Sequence, residues 1–201
     1  MKKLLISLIV SVGLMSAASA GTGDAVAGKA KAATCGACHG ADGNSLVPNF
    51  PKIAGQGERY LVKQITEIKN GDRYVPQMMG FVIGLSDTDI ADISAYFASQ
   101  TASGGAADPE LVEAGKKIFL GGNATTGIPA CMACHGPSGK GVDAAGFPRL
   151  AGQHAAYTES QLQAFYSGER HNDSNNVMRD ISSRMHMKEI KAVSSYIQGL
   201  K

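Results

Sequence analysis

Cys35-Gly-Ala-Cys38-His39 and Cys131-Met-Ala-Cys134-His135 are two copies of one pattern, displaced by 96 residues. Cys-x-x-Cys-His reads as covalent haem attachment: two thiols one helical turn apart add to the haem vinyls, and the next residue reaches the iron. These four are all the cysteines of the chain. A redox-active disulfide or a four-thiolate zinc centre would also use them, but neither explains the adjacent His. The sequence therefore predicts two covalently bound haem c groups. One is held by Cys35 and Cys38 with His39 on its iron, the other by Cys131 and Cys134 with His135.

The duplication extends outward from the motifs. Phe50-Pro51-Lys52-Ile53-Ala54-Gly55-Gln56 recurs as Phe147-Pro148-Arg149-Leu150-Ala151-Gly152-Gln153, displaced by 97, and Tyr60, Gln64, Gly71 and Arg73 keep that displacement to Tyr157, Gln161, Gly168 and Arg170. Ser94-Ala95-Tyr96 matches Ser194-Ser195-Tyr196 at 100. Two homologous lobes are the economical explanation. Residues 103–109, in a run of small residues (Thr101-Ala-Ser-Gly-Gly-Ala-Ala-Asp108) before Pro109, read as a flexible linker between domains at 21–102 and 110–201. Lobes this small gain modest stability from an apolar core alone, so a bound haem would supply much of the buried surface.

Lys2-Lys3, the apolar run from Leu4 to Met15 and Ala18-Ser19-Ala20 have the order of a cleavable export signal over residues 1–20. The expected compartment is the periplasm. Without Lys2 and Lys3 the chain carries 17 basic and 17 acidic residues, so a nucleic-acid partner is excluded on charge and docking must rest on local patches.

The periodicity is helical throughout. Glu58 to Asn70 places Leu61, Ile65 and Ile68 on one face and ends at Gly71; Ser86-Asp-Thr-Asp89 reads as a capped start for the helix bearing Ile90, Ile93 and Phe97. Helices from about Asp24 and about Pro109 lead into the two motifs. Gly28 and Gly115, each in Ala-Gly-Lys, suit either a close helix crossing against Tyr96 and Tyr196 or plain tolerance at a helix start.

A closed iron needs a second axial ligand, and the repeat selects it. Met78 stands 18 residues before Tyr96 and Met178 stands 18 before Tyr196; in that register Met79, Met185 and Met187 face Arg179, Leu85 and Asp87. Met78 and Met178 are the expected ligands, with the other three as adaptable core fillers. His154, His171 and His186 have no His counterpart and read as surface or helix-end residues, although His186, flanked by two Met, stays open as an alternative. The carbonyls of Pro51 and Pro148 are expected to accept the Nδ1–H of His39 and His135, a turn role being the alternative. Arg73, Arg170, Lys52 and Arg149 are candidates for haem propionates or ordinary surface charges.

These strings carry a resemblance. Asn49-Phe-Pro-Lys-Ile-Ala-Gly-Gln-Gly-Glu-Arg-Tyr60, its counterpart Gly146 to Tyr157, and the closing Ser-Ser-Tyr-Ile-Gln-Gly-Leu are similar to those of dihaem cytochromes c4. The resemblance implies an all-α protein of two tandem cytochrome c domains related by a pseudo-twofold axis, with haem propionate edges facing each other across the interface. It implies His–Met ligation in both lobes. It also implies a non-enzymatic respiratory electron carrier, with redox protein partners that include a terminal haem–copper oxidase. A dihaem redox enzyme, or the cytochrome subunit of a periplasmic dehydrogenase, is the rival reading. Whether the carrier is free or loosely associated with a membrane stays open. The displacement grows from 97 at Gly71 to 100 at Met78, so the first lobe is three residues shorter just before its expected ligand.

Overall fold

A computed structural model describes residues 23–201; the expected export signal lies outside these residues. Among the described residues ten α-helices follow one another in two matching sets of five. The first set is α1 (Ala25–Lys31), α2 (Gly36–His39), α3 (Glu58–Asn70), α4 (Pro76–Val82) and α5 (Asp87–Ala98). The second is α6 (Val112–Gly121), α7 (Met132–His135), α8 (Ala155–Ser167), α9 (Val177–Ser183) and α10 (Met187–Gly199). Among the described residues extended pairing is limited to two isolated bridges, Asn123 with Ile128 and Val142 with Phe147.

Local chemistry explains most boundaries. The Asp24 carboxylate accepts from Val26 N at 2.8 Å and Ala27 N at 3.2 Å, capping α1. Ser86 and Asp89 form a reciprocal capping box at α5. Gly71 and Gly168 end α3 and α8 in the left-handed region, at φ of 88° and 77°. The helix expected from about Pro109 begins instead at Val112, because Asp108 closes a turn: its side chain accepts from Glu110 N and its carbonyl from Leu111 N. The extra three residues of the second lobe form the turn Ser174–Asn176, with Asn175 and Asn176 at positive φ, immediately before α9. The first lobe starts α4 directly with Pro76.

In each lobe the first helix crosses the last. A Cβ on Gly28 would lie 2.0 Å from Asp92 O and 2.9 Å from Tyr96 Cβ; on Gly115, 2.2 Å from Ala192 O and 2.6 Å from Tyr196 Cβ. Close crossing is therefore the reason for both glycines. Around these crossings lie two cores: Ala32, Leu61, Ile93 and Phe97 in the first lobe, and Ile118, Phe119, Ile128, Met185, Ile190, Val193 and Ile197 in the second. Met185 fills core as expected, whereas Met187, the first residue of α10, is exposed.

The linker is tied down, contrary to the flexibility its composition suggested. Asn44 bonds Thr101 O and Ser103 N, Lys52 Nζ donates to Gly104 O, and Gln198 bonds Ala106 O and Gly105 N. Small side chains let backbone groups approach partners from both lobes.

The crossings differ in one respect. Lys31 pairs with Asp92 at 2.6 Å and Asp89 at 2.7 Å, and Asp92 also accepts from Asp24 N. In the register of the glycines and tyrosines, the second lobe has Ile118 and Ala192 in place of Lys31 and Asp92. The hydrogen bonds from Lys31 and Asp24 hold the Asp92 carboxyl below its ordinary 3.8. A depressed carboxyl stabilises the fold above its unfolded pKa and stops doing so as pH falls through its folded one. Hydrogen exchange followed from about pH 5 to about pH 3 should show α1 loosening before α6. Equal loosening would show that this ion pair contributes nothing.

Candidate haem sites and the interface between them

Each Cys-x-x-Cys-His forms a single helical turn. Cys35 and Cys131 precede α2 and α7, and His39 N and His135 N donate to their carbonyls at 3.0 Å in both lobes. Gly40 and Gly136 then break each turn at φ of 81° and 80°. All four thiols are free and half-buried. In the chain without haem, burial pushes the Cys35 thiol up and that of Cys131 to about 11.

Both histidines are buried. His39 Nδ1 lies 2.9 Å from Pro51 O, and His135 Nδ1 lies 2.9 Å from Pro148 O. A carbonyl only accepts, so each Nδ1 carries the proton and each Nε2 keeps its lone pair. Burial holds both rings below the ordinary 6.5, although the proline carbonyls oppose it, so the rings are neutral at neutral pH. A neutral imidazole presenting Nε2 is what a metal requires.

Met78 lies on α4, packed against α3, and Met178 on α9, packed against α8; both are half-buried. His186 instead stands just before α10 as its N-cap, exposed, with its backbone N–H bonded to Glu189 Oε2 at 2.8 Å. His171 is also exposed. His154 stands just before α8 as its N-cap and reaches across the interface, donating from Nε2 to Ser45 O at 2.8 Å.

Between the lobes the hydrogen bonds come in exchanged pairs. Lys52 N donates to Gln153 Oε1 at 2.9 Å and Gln153 Nε2 to Lys52 O at 2.8 Å. Arg149 N donates to Gln56 Oε1 at 2.7 Å and Gln56 Nε2 to Arg149 O at 3.0 Å. Arg73 bonds Gln64, Tyr157 and Gln161, while Arg170 bonds Gln161, Tyr60 and Gln64. This reciprocity is the signature of a twofold relation between unequal halves. Burial alone would raise the Tyr60 hydroxyl, but Arg170 and Arg73 beside it hold it below its ordinary value.

The guanidiniums of Arg73 and Arg170 thus have interface partners, and the ammonium of Lys52 has the linker carbonyls. Among the four basic residues considered for propionates, Arg149 differs: its Nε is buried without a partner. That orphaned donor, the free Nε2 atoms and the unpaired thiols fit a haem with acidic substituents. Sequence reasoning did not foresee Gln56 and Gln153 as interface residues, although both close the repeated Ala-Gly-Gln string.

Two lobes of identical helix order, each with a Cys-x-x-Cys-His turn whose His is locked by a proline carbonyl, define a tandem c-type cytochrome. The cytochrome c family model matches residues 25–101 and again 112–201. Cytochrome c4 of Pseudomonas aeruginosa is 57% identical over 201 residues, covering 100% of both chains. The crystal structure of reduced recombinant cytochrome c4 from Pseudomonas stutzeri superposes with a TM-score of 0.87 at 54% identity, covering 89% of this chain and 100% of that one. A thiosulfate dehydrogenase electron acceptor of Stutzerimonas stutzeri is 38% identical, over 84% of this chain and 80% of its own. The chain belongs to the cytochrome c4 family. It is an all-α electron-transfer protein of two tandem cytochrome c domains that carry two covalently attached haem c groups.

Proposed function

We propose that this protein is a periplasmic respiratory carrier that passes single electrons towards a terminal haem–copper oxidase. In this reading Cys35 and Cys38 hold the first haem with His39 and Met78 as axial ligands. Cys131 and Cys134 hold the second with His135 and Met178. The domains run over 21–102 and 110–201, joined at 103–109. A haem bound this way supplies a one-electron Fe(II)/Fe(III) couple, and the surrounding protein sets its potential and access. The observation that carries the reading is the doubled arrangement of a proline-locked imidazole and a half-buried Met on the equivalent helices α4 and α9. A soft thioether favours Fe(II), so this ligand pair raises the potential and leaves no coordination site open.

The form without the export signal would take an electron from its donor as Fe(III) and deliver it to the acceptor as Fe(II), and no helix of the described residues is long and apolar enough to cross a membrane. The likeness to a thiosulfate dehydrogenase electron acceptor supports a second reading, in which a periplasmic dehydrogenase is the donor. Mixing reduced dehydrogenase with the oxidised carrier, and oxidised oxidase with the reduced carrier, in separate stopped-flow experiments distinguishes the partners. Potentiometric titration of the purified holoprotein tests the shared core of both. Two one-electron transitions at positive potential are expected, with a weak far-red methionine–iron band in the oxidised state. A high-spin iron, or a transition at strongly negative potential, would overturn the assignment in that lobe.

A further inference from the structure

The peptide units Pro51–Lys52 and Pro148–Arg149 are each engaged at both ends. The carbonyl of Pro51 accepts from His39 Nδ1 at 2.9 Å, and the N–H of the same unit, on Lys52, donates to Gln153 of the other lobe at 2.9 Å. The carbonyl of Pro148 accepts from His135 Nδ1 at 2.9 Å, and its N–H, on Arg149, donates to Gln56 at 2.7 Å. Both glutamines are buried. Their orientation follows from their partners. Gln153 Oε1 accepts from Lys52 N and His154 N while Nε2 donates to the Lys52 carbonyl; Gln56 repeats this with Arg149 N, Gly57 N and the Arg149 carbonyl. Turning either amide over would set oxygen against oxygen.

We infer that Gln56 and Gln153 are crossed positioning residues, each tuning the reduction potential of the haem in the opposite lobe through the peptide unit that holds its histidine. This rests on the reading of His39 and His135 as axial ligands. The physical link is polarisation. An amide whose N–H is bonded to an acceptor carries more negative charge on its oxygen, and chained hydrogen bonds strengthen one another by roughly 10–30% each. A stronger acceptor at Nδ1 makes the imidazole a stronger donor at Nε2. That stabilises Fe(III) and lowers the potential. Removing the glutamine therefore weakens the hold on Nδ1 and raises the potential of the haem across the interface. The arrangement also makes each potential depend on lobe docking, since the partner atom belongs to the other domain.

The test is the pair Gln153→Leu and Gln56→Leu in full-length holoprotein, with each haem's oxidation state followed by its own assigned NMR signals during a potentiometric titration. Gln153→Leu should raise the Fe(II)-to-Fe(III) ratio of the first haem about threefold at fixed solution potential, about 30 mV at 59 mV per decade. The second haem should stay put, and Gln56→Leu should give the mirror result. A change confined to the haem of the substituted lobe, equal changes in both, or none would overturn the inference. Should a variant fail to hold its lobes together, the unsubstituted reduced protein still decides: a through-hydrogen-bond coupling is expected between Lys52 N and the Gln153 side-chain carbonyl carbon, and its absence overturns the relay. A failed ligand assignment looks different, because the far-red band would then be weakened, or missing if both lobes fail, before any substitution.

Discussion

Replacing Met178 with alanine is expected to leave both haems attached and to open the second lobe, alone, to carbon monoxide. In the proposed assignment attachment depends on Cys131 and Cys134, which the substitution does not touch. Loss of the thioether leaves the imidazole of His135 as the only strong donor, and its lock to Pro148 O at 2.9 Å holds that ring in place. No other Met stands ready to substitute, since Met185 is packed in the core and Met187 is exposed. The potential of that haem should fall by on the order of 100 mV, a modest part of the roughly 0.8 V that axial ligands command. The reduced variant should take up one carbon monoxide per chain where the parent takes up none. A variant that keeps its far-red band at full strength and ignores carbon monoxide would remove Met178 from the iron.

The second large effect is on stability. Gly115→Ala should lower the stability of the second lobe by about 3 kcal/mol, the upper part of the usual range for overpacking. The added Cβ would sit 2.2 Å from a backbone oxygen of α10 and 2.6 Å from Tyr196 Cβ, so α6 must move away by roughly 1 Å to reach ordinary contact. Gly121→Ala, on the same helix, is the control. Its Cβ would meet nothing within 4 Å, and replacing Gly in a helix gains roughly 0.5–1 kcal/mol. Thermal unfolding reports the difference, because 1 kcal/mol moves the midpoint of a domain this size by roughly 4–8 °C. Equal midpoints for the two variants would mean the crossing is looser than the structure has it.

How much of this was legible in the chain depends on sequence distance. Caps, helix ends and the Gly28 and Gly115 crossings follow from short patterns, and the duplication allowed each to be checked against its copy. The start of α6 at Val112 was missed because Asp108 accepts bonds from Glu110 and Leu111, a turn chemistry that competes with helix initiation. The fixed linker was missed because its partners, Asn44, Lys52 and Gln198, lie 52 to 92 residues away or bond through backbone atoms. Gln56 and Gln153 were hidden for the same reason: a neutral amide has no spacing rule, and each partner sits in the other lobe.

The most direct test of the whole account is the proton NMR spectrum of the reduced, full-length holoprotein with its methionine methyl groups assigned. A thioether bound to iron lies over the haem ring and its methyl signal moves far upfield. Two such signals, belonging to Met78 and Met178, are the predicted result. A single shifted methyl, or one belonging to Met79, Met185 or Met187, would contradict the claim that both irons are closed by a histidine and the repeat-paired methionine.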